Sequence, residues 1–144
     1  MNNVKFLLGI KGGQVWTIKR GSTVLDAMHL MAEKKVGSLV VTEGSDVVGI
    51  FTERDHARKV GLMNLMPESV IIDDVMTEDL IIVSPEQSVR ECMSIMTDNR
   101  IRHLPVFEEG SMIGIISIGD VVSDLIEELQ FFVKQLENYI TGLR

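Results

Sequence analysis

Apolar residues recur along this chain at two spacings. Val24, Ala27, Met28 and Met31 fall at i, i+3, i+4 and i+7, as do Val89, Cys92, Met93 and Met96. That period predicts two amphipathic helices. Each opens on a hydroxyl residue with a carboxylate three positions later, Thr23/Asp26 and Ser88/Glu91, the pattern of a capping box. Short apolar runs at 15–18, 36–42 and 47–52 predict strands, and 80–83, 101–107 and 112–117 predict a second set. The polar turns 43–46 and 108–111 join the later two strands of each set as a hairpin. Further helices are predicted from near Glu53 and near Ile118. A displacement of 65 residues lays Val15–Asp55 on Leu80–Asp120 without a gap, and nine of the 41 pairs are identical. The chain is a tandem repeat of a β-α-β-β-α unit.

One such unit has a sheet face to hide and too little core to hide it. Two copies packed about a pseudo-twofold axis bury those faces together, so the expected fold class is α/β (α+β). The expected division is repeat one at 1–62, and the linker, repeat two and a long last helix at 63–144. In that helix Leu125, Leu129, Phe132, Leu136, Tyr139 and Leu143 alternate steps of four and three, widened by Ile126, Val133 and Ile140. A stripe of this length predicts a homodimer through the last helix. Gly9–Gly13 reads as a flexible N-terminal turn, the helix methionines as core filler, and Cys92 as buried and inert.

The 144 residues carry 14 basic and 21 acidic side chains, a net charge of −7. That excess argues against nucleic acid or an anionic membrane as partner, since both are held by Lys and Arg. No apolar run approaches the ~20 residues of a membrane span. One cysteine excludes a disulfide scaffold, and with no export signal a cytoplasmic protein is expected. The three histidines are scattered and no nucleophile–base pair, zinc pattern or phosphate loop is visible, so neither a metal site nor an enzyme is predicted.

What remains is the end of each hairpin, Gly49-Ile-Phe-Thr52-Glu-Arg-Asp55 and Gly114-Ile-Ile-Ser117-Ile-Gly-Asp120. A hydroxyl three residues before an Asp at a strand–helix junction is a capping box. The other reading of the same pattern is a ribose-phosphate site, where the helix N-terminus suits a phosphate and the carboxylate accepts ribose hydroxyls, though spacing alone favours the cap. The glycine opening each strand and the Arg102-His103 pair on the facing hairpin favour the ligand.

The repeat, both junctions, Val75-Met76-Thr77 and Ile101-Arg-His-Leu-Pro-Val106 resemble a tandem cystathionine-β-synthase-type (CBS) domain pair over about residues 4–125. The likeness is to stand-alone pairs. The resemblance implies an adenosine ligand (AMP first; ADP, ATP, NAD or S-adenosylmethionine otherwise) in clefts combining the junction of one repeat with strands of the other. One cleft then uses Thr52 and Asp55, with Arg54 nearby, and Leu80, Ile81, Ile101, Arg102 and His103. The other uses Ser117 and Asp120 with Val15, Trp16, Val36, Gly37 and Ser38, where Gly37-Ser38 replaces the basic pair. On formal charge the Asp55 cleft is expected to be the better anion site. The expected function is a regulatory, nucleotide-sensing module acting on a separate partner protein. The alternative is a ligand-free dimeric interaction protein.

Overall fold

The computed structural model describes residues 2–142, which form two compact units: Val15–Ile81, and 2–14 together with 82–142. The units thus divide after Ile81, whereas the sequence boundary was drawn at 62/63, and the first residues of the chain belong with the second repeat.

In the first unit β1 (Thr17–Lys19) runs parallel to β2 (Ser38–Glu43), which pairs antiparallel with β3 (Asp46–Thr52). Helix α2 (Val24–Lys34) crosses between β1 and β2, opened by the Thr23/Asp26 capping box. It ends with Lys35 in the left-handed region at φ 56°, and Val36 N–H closes its last turn on the Met31 carbonyl. That closure uses Val36, so β2 starts at Ser38 and not at 36. After β3 comes one α-turn, α3 (Glu53–Asp55), which widens into a π-helix at His56–Gly61. The chain then returns through single 3₁₀ turns at Pro67–Ser69 and Ile72–Asp74. Ile72, Val75 and Met76 join Val24, Leu39, Val41 and Phe51 in one core, so part of the supposed linker is core of the first unit.

The second unit repeats the plan with α4 (Val89–Asn99), β4 (His103–Glu108), β5 (Ser111–Ser117) and α5 (Ile118–Thr141). Arg100 takes the left-handed cap at φ 53° and Ile101 N–H bonds Met96, which again delays the strand by two residues. The strand expected at 80–83 is reduced to Val83 bridging Val106, because the tight turn at Glu78–Leu80 bends the preceding chain.

Of the N-terminal glycines, Gly9 lies within a helix, and only Gly12 and Gly13 after it turn the chain. Asn3 caps α1 (Val4–Lys11) by accepting from Phe6 N–H, and Val4 and Leu7 are buried, so tertiary burial carries the helix through Gly9. Its entry is stapled to the second unit by Val4 N–H to Gln87, Lys5 N–H to Pro85 and Val89 N–H to Asn2.

Beyond the buried Val121 and Asp124, α5 presents Ile126, Leu129, Phe132, Val133, Leu136, Tyr139 and Ile140 in exposed positions. Leu143, the last residue of the predicted stripe, lies outside the described residues. No helix among the described residues is long and apolar enough to cross a membrane.

Candidate functional site

Both strand–helix junctions are complete capping boxes. Asp55 N–H donates to Thr52 Oγ1 at 3.2 Å, and Thr52 N–H donates back to Asp55 Oδ2 at 3.1 Å. At the second junction Asp120 N–H donates to Ser117 Oγ at 3.2 Å and Ser117 N–H to Asp120 Oδ2 at 2.8 Å. The hairpins place the start of the middle strand beside each box. Ser38 pairs with Thr52 and Glu53 N–H bonds Gly37 carbonyl; His103 pairs with Ser117 and Ile118 N–H bonds Arg102 carbonyl. Within each unit the junction therefore meets the dipeptide that opens its own hairpin: Gly37-Ser38 in the first, Arg102-His103 in the second.

The surroundings of the two carboxylates differ. Asp55 is 5% exposed. Its oxygens accept from Thr52 and from the Thr77 hydroxyl at 3.2 Å, and Lys59 Nζ lies 3.1 Å away, one helical turn on. Lys59 also donates to the Val75 carbonyl, tying the returning segment to the junction. At Asp120 the added partner is Lys11, whose ammonium donates to Oδ2 at 2.6 Å from the last turn of α1. The Asp120 side chain remains 26% exposed against 7% for Asp55.

Electrostatics follow from these contacts. Burial works to raise the Asp120 carboxyl, but the Lys11 ammonium and the Ser117 N–H outweigh it and hold the group below the usual carboxylate range. Burial depresses the His103 imidazole; the Lys11 and Arg102 charges push it the same way, against Asp120. His103 is therefore neutral at pH 7. Lys11, Arg102 and Asp120 thus all act on His103 within the second unit, and no local sequence pattern linked Lys11 to it.

Of the remaining residues expected at the site, Val15, Trp16, Val36, Arg54, Leu80 and Ile81 lie in the first unit with Thr52 and Asp55; Ile101 lies in the second. Trp16 bonds Val40 N–H through its carbonyl, and its ring lies beneath Lys34 Nζ, 4.3 Å from the centroid, a cation–π contact. Sequence reading missed Lys11, Lys59 and Thr77. Of these Thr77 carried a signal in the Val75-Met76-Thr77 motif, and Lys59 in the small basic island Arg54/Arg58/Lys59.

Fold and junctions together define a tandem α/β repeat in which each unit ends its hairpin on a hydroxyl–carboxylate cap. The CBS domain model matches residues 13–55 and 72–127, and the chain belongs to the CBS domain family. It is 43% identical over 125 residues to the CBS domain-containing protein CBSX3, mitochondrial, of Arabidopsis thaliana. That alignment covers 83% of this chain but only 61% of the relative's length. Among solved structures, a protein with CBS domains from Burkholderia ambifaria MC40-6 is 43% identical, with a TM-score of 0.84 over 88% of this chain and 95% of that one. The hexameric CBS-CP12 protein from bloom-forming cyanobacteria is 32% identical, with a TM-score of 0.76 over 87% and 74% of the two chains.

Proposed function

We propose that this protein is a regulatory module that binds an adenosine nucleotide, AMP foremost, at its strand–helix junctions, and acts as a homodimer on a separate partner protein. The observation that carries the reading is the Ser117–Asp120 junction, and not the Asp55 one that formal charge ranks first in the sequence, because Arg102 and His103 open the hairpin that ends at Ser117. A hydroxyl, a helix N-terminus and a partly exposed carboxylate stand there beside Lys11, Arg102 and His103. Ribose hydroxyls suit the carboxylate, and a phosphate suits the cations. Membership of the CBS family and the provisional assignment of the Burkholderia ambifaria relative to signal transduction support a regulatory role. ADP, ATP, NAD and S-adenosylmethionine share the adenosine group and are the competing ligands.

The test is a thermal-shift titration with this panel, together with mass spectrometry of any nucleotide released by heating the purified protein. A ligand of the folded state raises the melting temperature with concentration. No shift from any adenosine compound would overturn the reading.

A second reading has its own support. At Asp55 the carboxylate is nearly enclosed and taken up by Thr52, Thr77 and Lys59, as a purely structural cap would be. Together with the exposed face of α5, this favours a ligand-free dimeric interaction protein, which the same titration separates from the first.

A further inference from the structure

The carboxylate of Asp120 is met by a cation that comes from outside the repeat. Lys11 stands 109 residues away in sequence, yet its ammonium lies 2.6 Å from Asp120 Oδ2. The backbone that carries it is closely held. Leu8, one turn earlier, lies so near Gly114 of β5 that a Cβ there would stand 2.7 Å from Leu8 Cδ2. Just after Lys11, Gly12 turns the chain at φ 90° with its N–H on the Leu8 carbonyl. Gly13 then passes so close to the Ile113 carbonyl that a Cβ would stand 2.9 Å from it. At the other end of α1, Asn2 donates to Asp124, which is 4% exposed. Only the four-carbon stem of Lys11 is left free to swing.

The first unit supplies the control. The offset that aligns Gly114 with Gly49 aligns Lys11 with Met76, and Met76 lies over Gly49 as Leu8 lies over Gly114. There the neighbour that reaches the carboxylate from the covering segment is the neutral Thr77 hydroxyl, and the cation Lys59 comes from the junction's own helix. A charge delivered from the covering segment is thus a property of the Asp120 junction alone among the two.

Resting on the adenosine-binding reading above, we infer that Lys11 is the phosphate-selecting residue of the Ser117–Asp120 junction. In the free protein its ammonium sits on Asp120. When ribose hydroxyls take that carboxylate, the ammonium turns to the nucleotide's phosphate, beside Arg102. With His103 neutral, the Lys11 and Arg102 charges that both act on it outnumber Asp120, so an anionic group is favoured there, whereas an uncharged nucleoside is not. Lys11 therefore discriminates nucleotide from nucleoside at a junction whose own hairpin and helix supply Arg102 but no second full charge.

The experiment compares AMP with adenosine on wild type, Lys11→Met and Lys11→Arg. Calorimetric titration gives the affinities, and amide shifts of Ser117, Gly119 and Asp120 localise them. Methionine keeps the apolar stem, and the melting temperature of each variant without ligand monitors the fold. Loss of one charge-assisted contact should weaken AMP by about tenfold to a hundredfold in Lys11→Met. Adenosine affinity should stay within about twofold and Lys11→Arg should retain most AMP binding. Equal weakening of both ligands would make Lys11 a packing residue. Tighter binding of both would make it a mere competitor for Asp120. Either result overturns the assignment while leaving adenosine binding intact. Wild-type protein whose amides respond to neither compound would overturn the adenosine reading itself, and this assignment with it.

Discussion

Met76 lies across Gly49: a Cβ on that glycine would stand 2.7 Å from Met76 Sδ and 2.9 Å from the Thr77 carbonyl oxygen. That carbonyl accepts from Ile50 N–H, so the contact involves backbone that cannot move without breaking a bridge to β3. At Gly114 the equivalent Cβ meets first the side chain of Leu8, whose methyls can rotate away. Gly49→Ala should cost about 1–3 kcal/mol by overpacking, and Gly114→Ala less. Urea denaturation of both variants checks the order, and equal midpoints would refute it.

The two junction carboxylates should separate in the same assay. Asp55→Ala removes the acceptor for Thr52, Thr77 and Lys59 in a buried setting, a loss of about 1–3 kcal/mol. Asp120→Ala removes a cap and a partly exposed ion pair, about 1 kcal/mol. A larger loss at Asp120 would contradict the greater burial of Asp55.

Acidification should destabilise the protein in two stages. The His103 imidazole is depressed below its ordinary 6.5 in the folded state, so the unfolded chain takes up the proton first and stability falls as pH drops through that value. Asp120 is held below 3.8, so its contribution persists above that pH and is lost on further acidification. His103→Gln should flatten the stability curve between about pH 7 and pH 5. Parallel curves for variant and wild type over that range would rule out His103 as the titrating group.

Cys92 is fully buried in α4, and burial pushes its thiol up to about 11, with Glu91 adding to the shift. Since the thiolate is the reactive form, iodoacetamide at pH 8 should label the folded protein slowly and the urea-unfolded protein readily. Equal labelling rates would show that Cys92 is accessible in the folded protein, against its burial in α4.

The outer half of α5 exposes Leu129 at 64%, Phe132 at 54% and Leu136 at 60%. A lone helical segment of this length is marginal in water unless its apolar face is covered. Leu129→Glu combined with Leu136→Glu should convert a dimer to monomer in sedimentation experiments, leaving the buried Val121 and Asp124 undisturbed. Unchanged mass would remove α5 as the contact.

The periodicities placed α2, α4 and the stripe of α5, the polar turns placed both hairpins, and the caps at Thr23, Thr52, Ser88 and Ser117 are as the hydroxyl–carboxylate spacing predicts. These are interactions within one turn, so they are written in neighbouring residues. Strand starts slipped by two residues where Lys35 and Arg100 took left-handed caps without a glycine to announce them. The π-helical turn at His56–Gly61 likewise left no mark in the apolar pattern. The turn signal of Gly9 was overridden in α1 by the burial of Val4 and Leu7.

By itself, then, the sequence determined the repeat, its elements and the two hydroxyl–carboxylate junctions, because each depends on side chains a few residues apart. The partners that distinguish those junctions were decided only by tertiary structure. Met76 and Thr77 fold back over the first repeat, and α1 docks on the second, each covering a glycine of the last strand. Lys11 meets Asp120, and Thr77 meets Asp55, through chain separations of 109 and 22 residues. Docking over a strand glycine depends on which apolar segment fills the space above it, and no spacing along the chain records that choice.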